Sequence, residues 1–308
     1  MTSSAHRAIT LTASTPEDVL AAVAVVLGFE PCHSVAMLTF GGNETFHARV
    51  DLPCLREVGD AVRQLLEPAL KHEVKRAIFV VYSDDSPAAR SVAGRLRRRF
   101  TAAGIDVVEV LRAHEGRWHA PGRPGAPPRG VPYDIGAHRF VAEAVLEGMV
   151  VHGSRAELEA LLQPLPEAVA ESSRVLRRSV PSPPDEIVDL VERRLATGRF
   201  TTVELGRVLL GLLDGDGRDA AAALITRETA TDHVRLWTDA LQRTPEELVP
   251  APAAVLALAA WLSGHGALAW CAVDRCWAVE PDNSMAALVS HVLTQAVSPS
   301  EWIGTEAG

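Results

Sequence analysis

Between residues 120 and 130 the chain reads APGRPGAPPRG, a run in which no helix or strand can persist. Proline lacks a backbone N–H and clashes with the preceding helical turn, and glycine loses the most conformational freedom on ordering. The segment predicts an exposed loop or linker and divides the chain into two domains, 1–131 and 132–308. A length of 308 residues suits that division, because cores usually serve domains of about 50–200 residues.

Before the segment, strand-like and helix-like patterns alternate. Ile9 to Thr12 reads as a short strand. Thr15-Pro16-Glu17-Asp18 then combines a capping hydroxyl, a proline at the first helical position and acids in the first turn. The helix that follows, VLAAVAVVLGF, is apolar on nearly every face and so predicts burial, with Gly28 as its C-terminal cap. Ser34 to Phe40 and Thr45 to Leu52 are strand candidates around Gly41-Gly42-Asn43, residues that accept positive φ in a hairpin. Arg56 to Glu73 has helical spacing. RAIFVVY (76–82) is a continuous apolar run, expected of a central strand covered on both faces. An Arg-studded helix from Pro87 to Ala103, a strand from Asp106 to Arg112 and a short strand at Arg117 to His119 complete a mixed sheet with packed helices.

After the segment the pattern is helical to the end. Ten helices are predicted between 137 and 296. Ser154 with Glu157, Thr201 with Glu204 and Thr244 with Glu247 each place an acid three residues after a hydroxyl, the spacing of a capping box. The fold class is therefore an α/β N-terminal domain followed by an all-α C-terminal domain.

Composition excludes several functions. Apolar stretches such as 19–28 and 255–262 fall short of the roughly 20 residues that span a bilayer. MTSSAHRAIT lacks a charged segment leading into an apolar run, so the expected location is cytoplasmic. A net charge of −9 disfavours nucleic acid as a partner. The Arg clusters at 95–99 and 174–178 read as solvated helix faces. The four cysteines form no CxxC pair and predict buried thiols, and the histidines show no HxxxH spacing for zinc.

The polar candidates each have a structural alternative. Ser83-Asp84-Asp85 follows the buried strand and precedes a helix, where α/β sheets collect ligands; Asp84 and Asp85 could hold Mg²⁺ there, or simply cap the helix. On the strand 45–52, His47, Arg49 and Asp51 share one face, suited to an anion or to an Arg–Asp pair on an edge strand. Asp134 and His138, four apart near a helix start, could form an acid–imidazole pair, or Asp134 could be a cap.

Four boxes occur in order: STPEDVLAAVAVVLGFEP, HARVDLP, PYDIGAHRFVAEAVLEGMVVHGSRAELEALLQP and LALAAWLSGHGALAWCAVDRCWAVEPDNSMAALV. Together they resemble the actinobacterial domain-of-unknown-function family 4192 over nearly the whole chain, a resemblance that implies no reaction. Many members of that family carry cysteines in the loop after an RW dipeptide. Here the loop after Arg117-Trp118 has none, which argues against a thiol role. Residues 256–289 also resemble one tetratricopeptide-like helical hairpin, with small Ala257, Gly264, Ala269 and Cys276 at close-packing positions and Pro281 at the end. The expectation is a non-enzymatic regulatory or protein-interaction module, binding an unknown protein partner or itself. The alternative is a metal- or phosphate-dependent enzyme or small-ligand sensor working around Ser83–Asp85.

Overall fold

The computed structural model describes residues 12–43, 46–123, 125–147 and 150–301. Residues 9–11 of the expected first strand and Thr45 lie outside the described residues. The chain forms two compact units, Met1–Arg155 and Ala156–Gly308.

The first unit contains α1 (Pro16–Leu27), β1 (Ser34–Phe40), β2 (His47–Asp51), α2 (Val58–Lys71), β3 (Arg76–Tyr82), α3 (Ser86–Ala102), β4 (Asp106–His114), β5 (Arg117–His119), β6 (Val131–Pro132) and α4 (Arg139–Leu146). The strands form one mixed sheet in the order β2-β1-β3-β4-β5-β6. Only β3 and β4 run parallel, and α3 connects them. All other neighbours are antiparallel.

Alternation along the strands builds two cores. Ala36, Leu38, Ile78, Val80, Tyr82, Leu111 and Ala113 meet α1 and α4 on one face. Phe79, on the other face, meets Phe100 of α3 edge-on at 4.8 Å. α1 is closed by a capping box between Thr15 and Asp18 and ends on Gly28 at φ 78°; its residues 18–25 are buried. Each fully buried Val or Leu contributes about 1.5–3 kcal/mol, which outweighs the modest helix propensity of so many valines.

The compact unit runs past the Pro/Gly segment rather than ending at 131. Pairing decides this. Val131 and Pro132 extend the sheet beside β5, and Ile135, Phe140 and Ala144 enter the α1 core. The segment itself folds back, with Ala126 against that core and Arg123 reaching Glu109. β5 covers only Arg112–His114 of β4, so the segment lies near an otherwise open sheet edge.

The second unit is helical: α5 (Arg155–Ala160, opening at the boundary), α6 (Pro166–Leu176), α7 (Pro184–Leu195), α8 (Thr202–Gly211), α9 (Gly215–Ala223), α10 (Ala230–Gln242), α11 (Pro250–Leu262), α12 (Gly266–Trp277) and α13 (Ser284–Thr294). Among its described residues there is no strand. All thirteen residues of α11 are buried, and α9, α10, α12 and α13 pack on it. Its alanines leave room for neighbours on every side. The expected box at Thr201 forms with Glu204. Thr244 instead donates to the Ala240 carbonyl, and Glu246 pairs with Arg275. Gly211 and Gly217 mark a close approach of α8 and α9, since a Cβ on Gly217 would sit 2.2 Å from the Gly211 carbonyl oxygen. Cys271 and Cys276 are buried as expected, whereas Cys32 and Cys54 are exposed because they flank the open end of the β1–β2 pair.

Candidate ligand site at the carboxyl edge of the sheet

β3 delivers Ser83, Asp84 and Asp85 to the carboxyl edge of the parallel pair. Ser83 is buried and both acids are exposed. Asp85 is the N-cap of α3: its Oδ1 accepts from the Ala88 N–H at 2.9 Å, and its own N–H donates to Ser83 Oγ at 3.1 Å. Pro87 has no N–H to offer. The helix start is thus already closed by the chain itself.

The group the sequence did not single out is Arg112. It stands opposite Val81 on β3, on the sheet face covered by α3, and is only 7% exposed. Its Nε donates to the Ser83 carbonyl and its Nη2 to the Asp84 carbonyl, both at 2.9 Å. Among the described residues no carboxylate lies within ion-pair distance of it. Arg117 repeats the pattern, donating from Nε to the Arg129 carbonyl at 2.8 Å and from Nη2 to the Gly130 carbonyl at 3.2 Å. Two carbonyl pairs fix both guanidinium groups; Arg117 is exposed to solvent, whereas the buried charge of Arg112 is left without a carboxylate.

His119 pairs in register with Arg112. Burial lowers its pKa, and the charges of Arg112, Arg117 and His114 lower it further. Gly130, at φ 68°, closes over this ring: a Cβ there would come within 2.7 Å of His119 and of the Trp118 carbonyl. The carboxyl edge therefore carries two oriented guanidinium groups and a histidine whose pKa is depressed, beside the exposed carboxylates of Asp84 and Asp85. It suits an anion.

The other candidates are dispersed. Arg49 pairs with Asp51 at 2.8 Å on β2, at the far edge of the sheet, and also approaches the Phe29 ring at 6.0 Å. His47 accepts from the Thr39 N–H through Nδ1, and burial lowers its pKa to about 4. Asp134 accepts from the Ala137 N–H at 3.4 Å, a turn contact. His138 is the N-cap of α4, with Nδ1 accepting from the Phe140 N–H, so its Nε2 carries the proton. That nitrogen faces Asp18 at 3.2 Å, not Asp134. Burial pushes the Asp18 carboxyl up, but the Ser14 and Thr15 N–H groups, the Thr15 hydroxyl and Arg139 bring it below its usual value. Every atom of this pair has a structural partner, which leaves no free base.

A second polar group sits on the α1 face of the same edge. The Tyr133 hydroxyl donates to Glu30 Oε1 at 3.2 Å, and the Tyr82 hydroxyl is buried without a hydrogen-bond partner. Burial raises the Glu30 pKa, and neighbouring Asp134 adds to the rise. No spacing rule links residues 30, 82 and 133; only the sheet register and α1 bring them together. Arg112 did leave a trace in the sequence, as the one cation in the apolar end of DVVEVLRAH. Among the described residues, no group of three or more His, Cys, Asp or Glu could hold a metal ion, and no helix is long and apolar enough to cross a membrane.

The family model described as a domain of unknown function, DUF4192, matches residues 16–300, and the chain belongs to that family. No curated protein and no solved structure matches it.

Proposed function

We propose that this DUF4192 chain is a cytoplasmic, non-enzymatic regulatory module that responds to a small anion held at the carboxyl edge of its sheet. The supporting observation is Arg112, a buried guanidinium with two carbonyl partners and no counter-charge. Keeping such a charge buried costs several kcal/mol, and an arriving anion returns that energy as affinity. Anion binding then adjusts association with a protein partner or a second copy. Nucleic acid and membrane play no part, and no cofactor is needed.

The test is thermal melting of the full chain in inorganic phosphate, sulfate and acetate at constant ionic strength. A native-state ligand at about 100 times its Kd adds about 2.7 kcal/mol, which raises Tm. Arg112→Lys keeps the charge but loses the planar fork, and is expected to weaken phosphate binding about tenfold. An unchanged Tm in all three anions removes the reading. Release of phosphate from organic phosphates, with or without Mg²⁺, would replace it with the phosphate-dependent enzyme that Ser83–Asp85 first suggested.

A further inference from the structure

We infer that the anion is the phosphate of an organic monophosphate of nucleotide size, whose body lies in a cleft beside α3; this deepens the anion-binding reading and rests on it. The cleft has a volume of about 590 Å³, within the roughly 300–1,000 Å³ of small-molecule sites. Inorganic phosphate would fill only a small part of it. Its walls come from α3, the first half of β4 and the start of the Pro/Gly segment.

Arg112 is not one of the residues that line this cleft, and the direction of α3 gives the span between them. The helix begins at Ser86, immediately beyond the carboxyl end of β3, and runs back along the sheet to a parallel β4. Arg90 is therefore near the carboxyl edge, and Arg97 lies about 10 Å further in at 1.5 Å per residue. On β4, Val108 lines the cleft on the same face as Arg112 and is four strand residues from it, about 13 Å. That span is the reach of a phosphate on a sugar carrying a small ring.

Charge and shape select the same class. Three guanidinium groups line the cleft, Arg90, Arg97 and Arg123, against the lone carboxylate of Glu109. Glu109 is divided between Arg97 at 3.3 Å and Arg123 at 3.4 Å, both longer than the 2.7–2.9 Å of a tight charged contact. Arg90 is held by the Ser86 hydroxyl at 2.7 Å and has no carboxylate partner among the described residues. The excess positive charge rejects cations, while Gly122 leaves its stretch of wall free of side chains where a flat or sugar-like body would lie.

Calorimetric titration of the full chain with inorganic phosphate, adenosine 5′-monophosphate and ribose 5-phosphate tests the inference. At least one organic monophosphate is expected to bind ten-fold or more tightly than inorganic phosphate. Arg97→Ala should erase that advantage and leave inorganic phosphate affinity within two-fold. Glu109→Gln, which removes the competing negative charge and preserves shape, should tighten the organic ligand several-fold. Inorganic phosphate binding with no gain for either organic probe overturns the inference and leaves the anion reading standing. So does an Arg97→Ala variant that weakens all three ligands equally, or a Glu109→Gln variant that weakens the organic ones. Failure of inorganic phosphate itself to bind removes the parent reading.

Discussion

Among the described residues two arginines are buried, one in each unit, and they are satisfied in opposite ways. Arg243 in the helical unit donates to Asp239 Oδ2 and to the Phe200 carbonyl, each at 2.8 Å. Arg112 in the sheet unit donates only to carbonyls. A compensated guanidinium ties α10 to the start of α8 and has no need of a ligand. An uncompensated one retains electrostatic attraction for whatever anion reaches it. Burial alone therefore does not distinguish Arg112 from Arg243; the missing counter-charge does.

The largest expected effect breaks the compensated member. Asp239→Ala strands Arg243 and should cost about 3–5 kcal/mol in chemical denaturation, with phosphate affinity unchanged. If phosphate then rescued the variant, the distinction between the two arginines would collapse. Next, Gly130→Ala forces a side chain into a left-handed position and against His119, with an expected loss of about 1–3 kcal/mol and weaker phosphate binding. Hydrogen exchange would localise that loss to the sheet unit.

Acidification should weaken both units together. His47 and His233 are each lowered to about 4 by burial, from an ordinary 6.5. The unfolded chain takes up these protons near 6.5 and the native chain only near 4, so stability falls as pH drops through that window. Glu204, held at about 2 against the opposing effect of burial by Arg194 and the Thr201 cap, extends the loss below 4.5 in the helical unit, and the lowered Asp18 carboxyl extends it in the sheet unit. Urea denaturation at stepped pH reads both phases, and a flat profile from pH 7 to 4 would contradict the buried neutral histidines. The smallest effect is Asp85→Ala, which removes one cap and should cost about 1 kcal/mol. A much larger cost would mean that Asp85 does more than close α3.

Much of the architecture was readable from local pattern. The apolar run at 76–82, the capping boxes at Thr15 and Thr201, and the helical second half each depend on residues within a few positions of one another. The Arg49–Asp51 pair was readable for the same reason, since period-2 alternation places i and i+2 side by side. The unit boundary was misplaced because Pro and Gly mark a turn, not a domain end. What keeps 131–147 with the sheet is pairing to β5 and packing on α1.

By itself, then, the order of residues determined the longer strands and helices, where most helices begin, and which faces are apolar, because those depend on backbone propensity and short-range periodicity; the two-residue strand β6 at Val131–Pro132 exists only through its pairing with β5. Tertiary structure alone decided the partners: His138 with Asp18 rather than Asp134, Tyr133 with Glu30, and Arg112 with the Ser83 and Asp84 carbonyls. Such partnerships join positions 28 to more than 100 residues apart. They follow from strand register and helix docking, and no local propensity encodes which distant side chain will be left beside a buried charge.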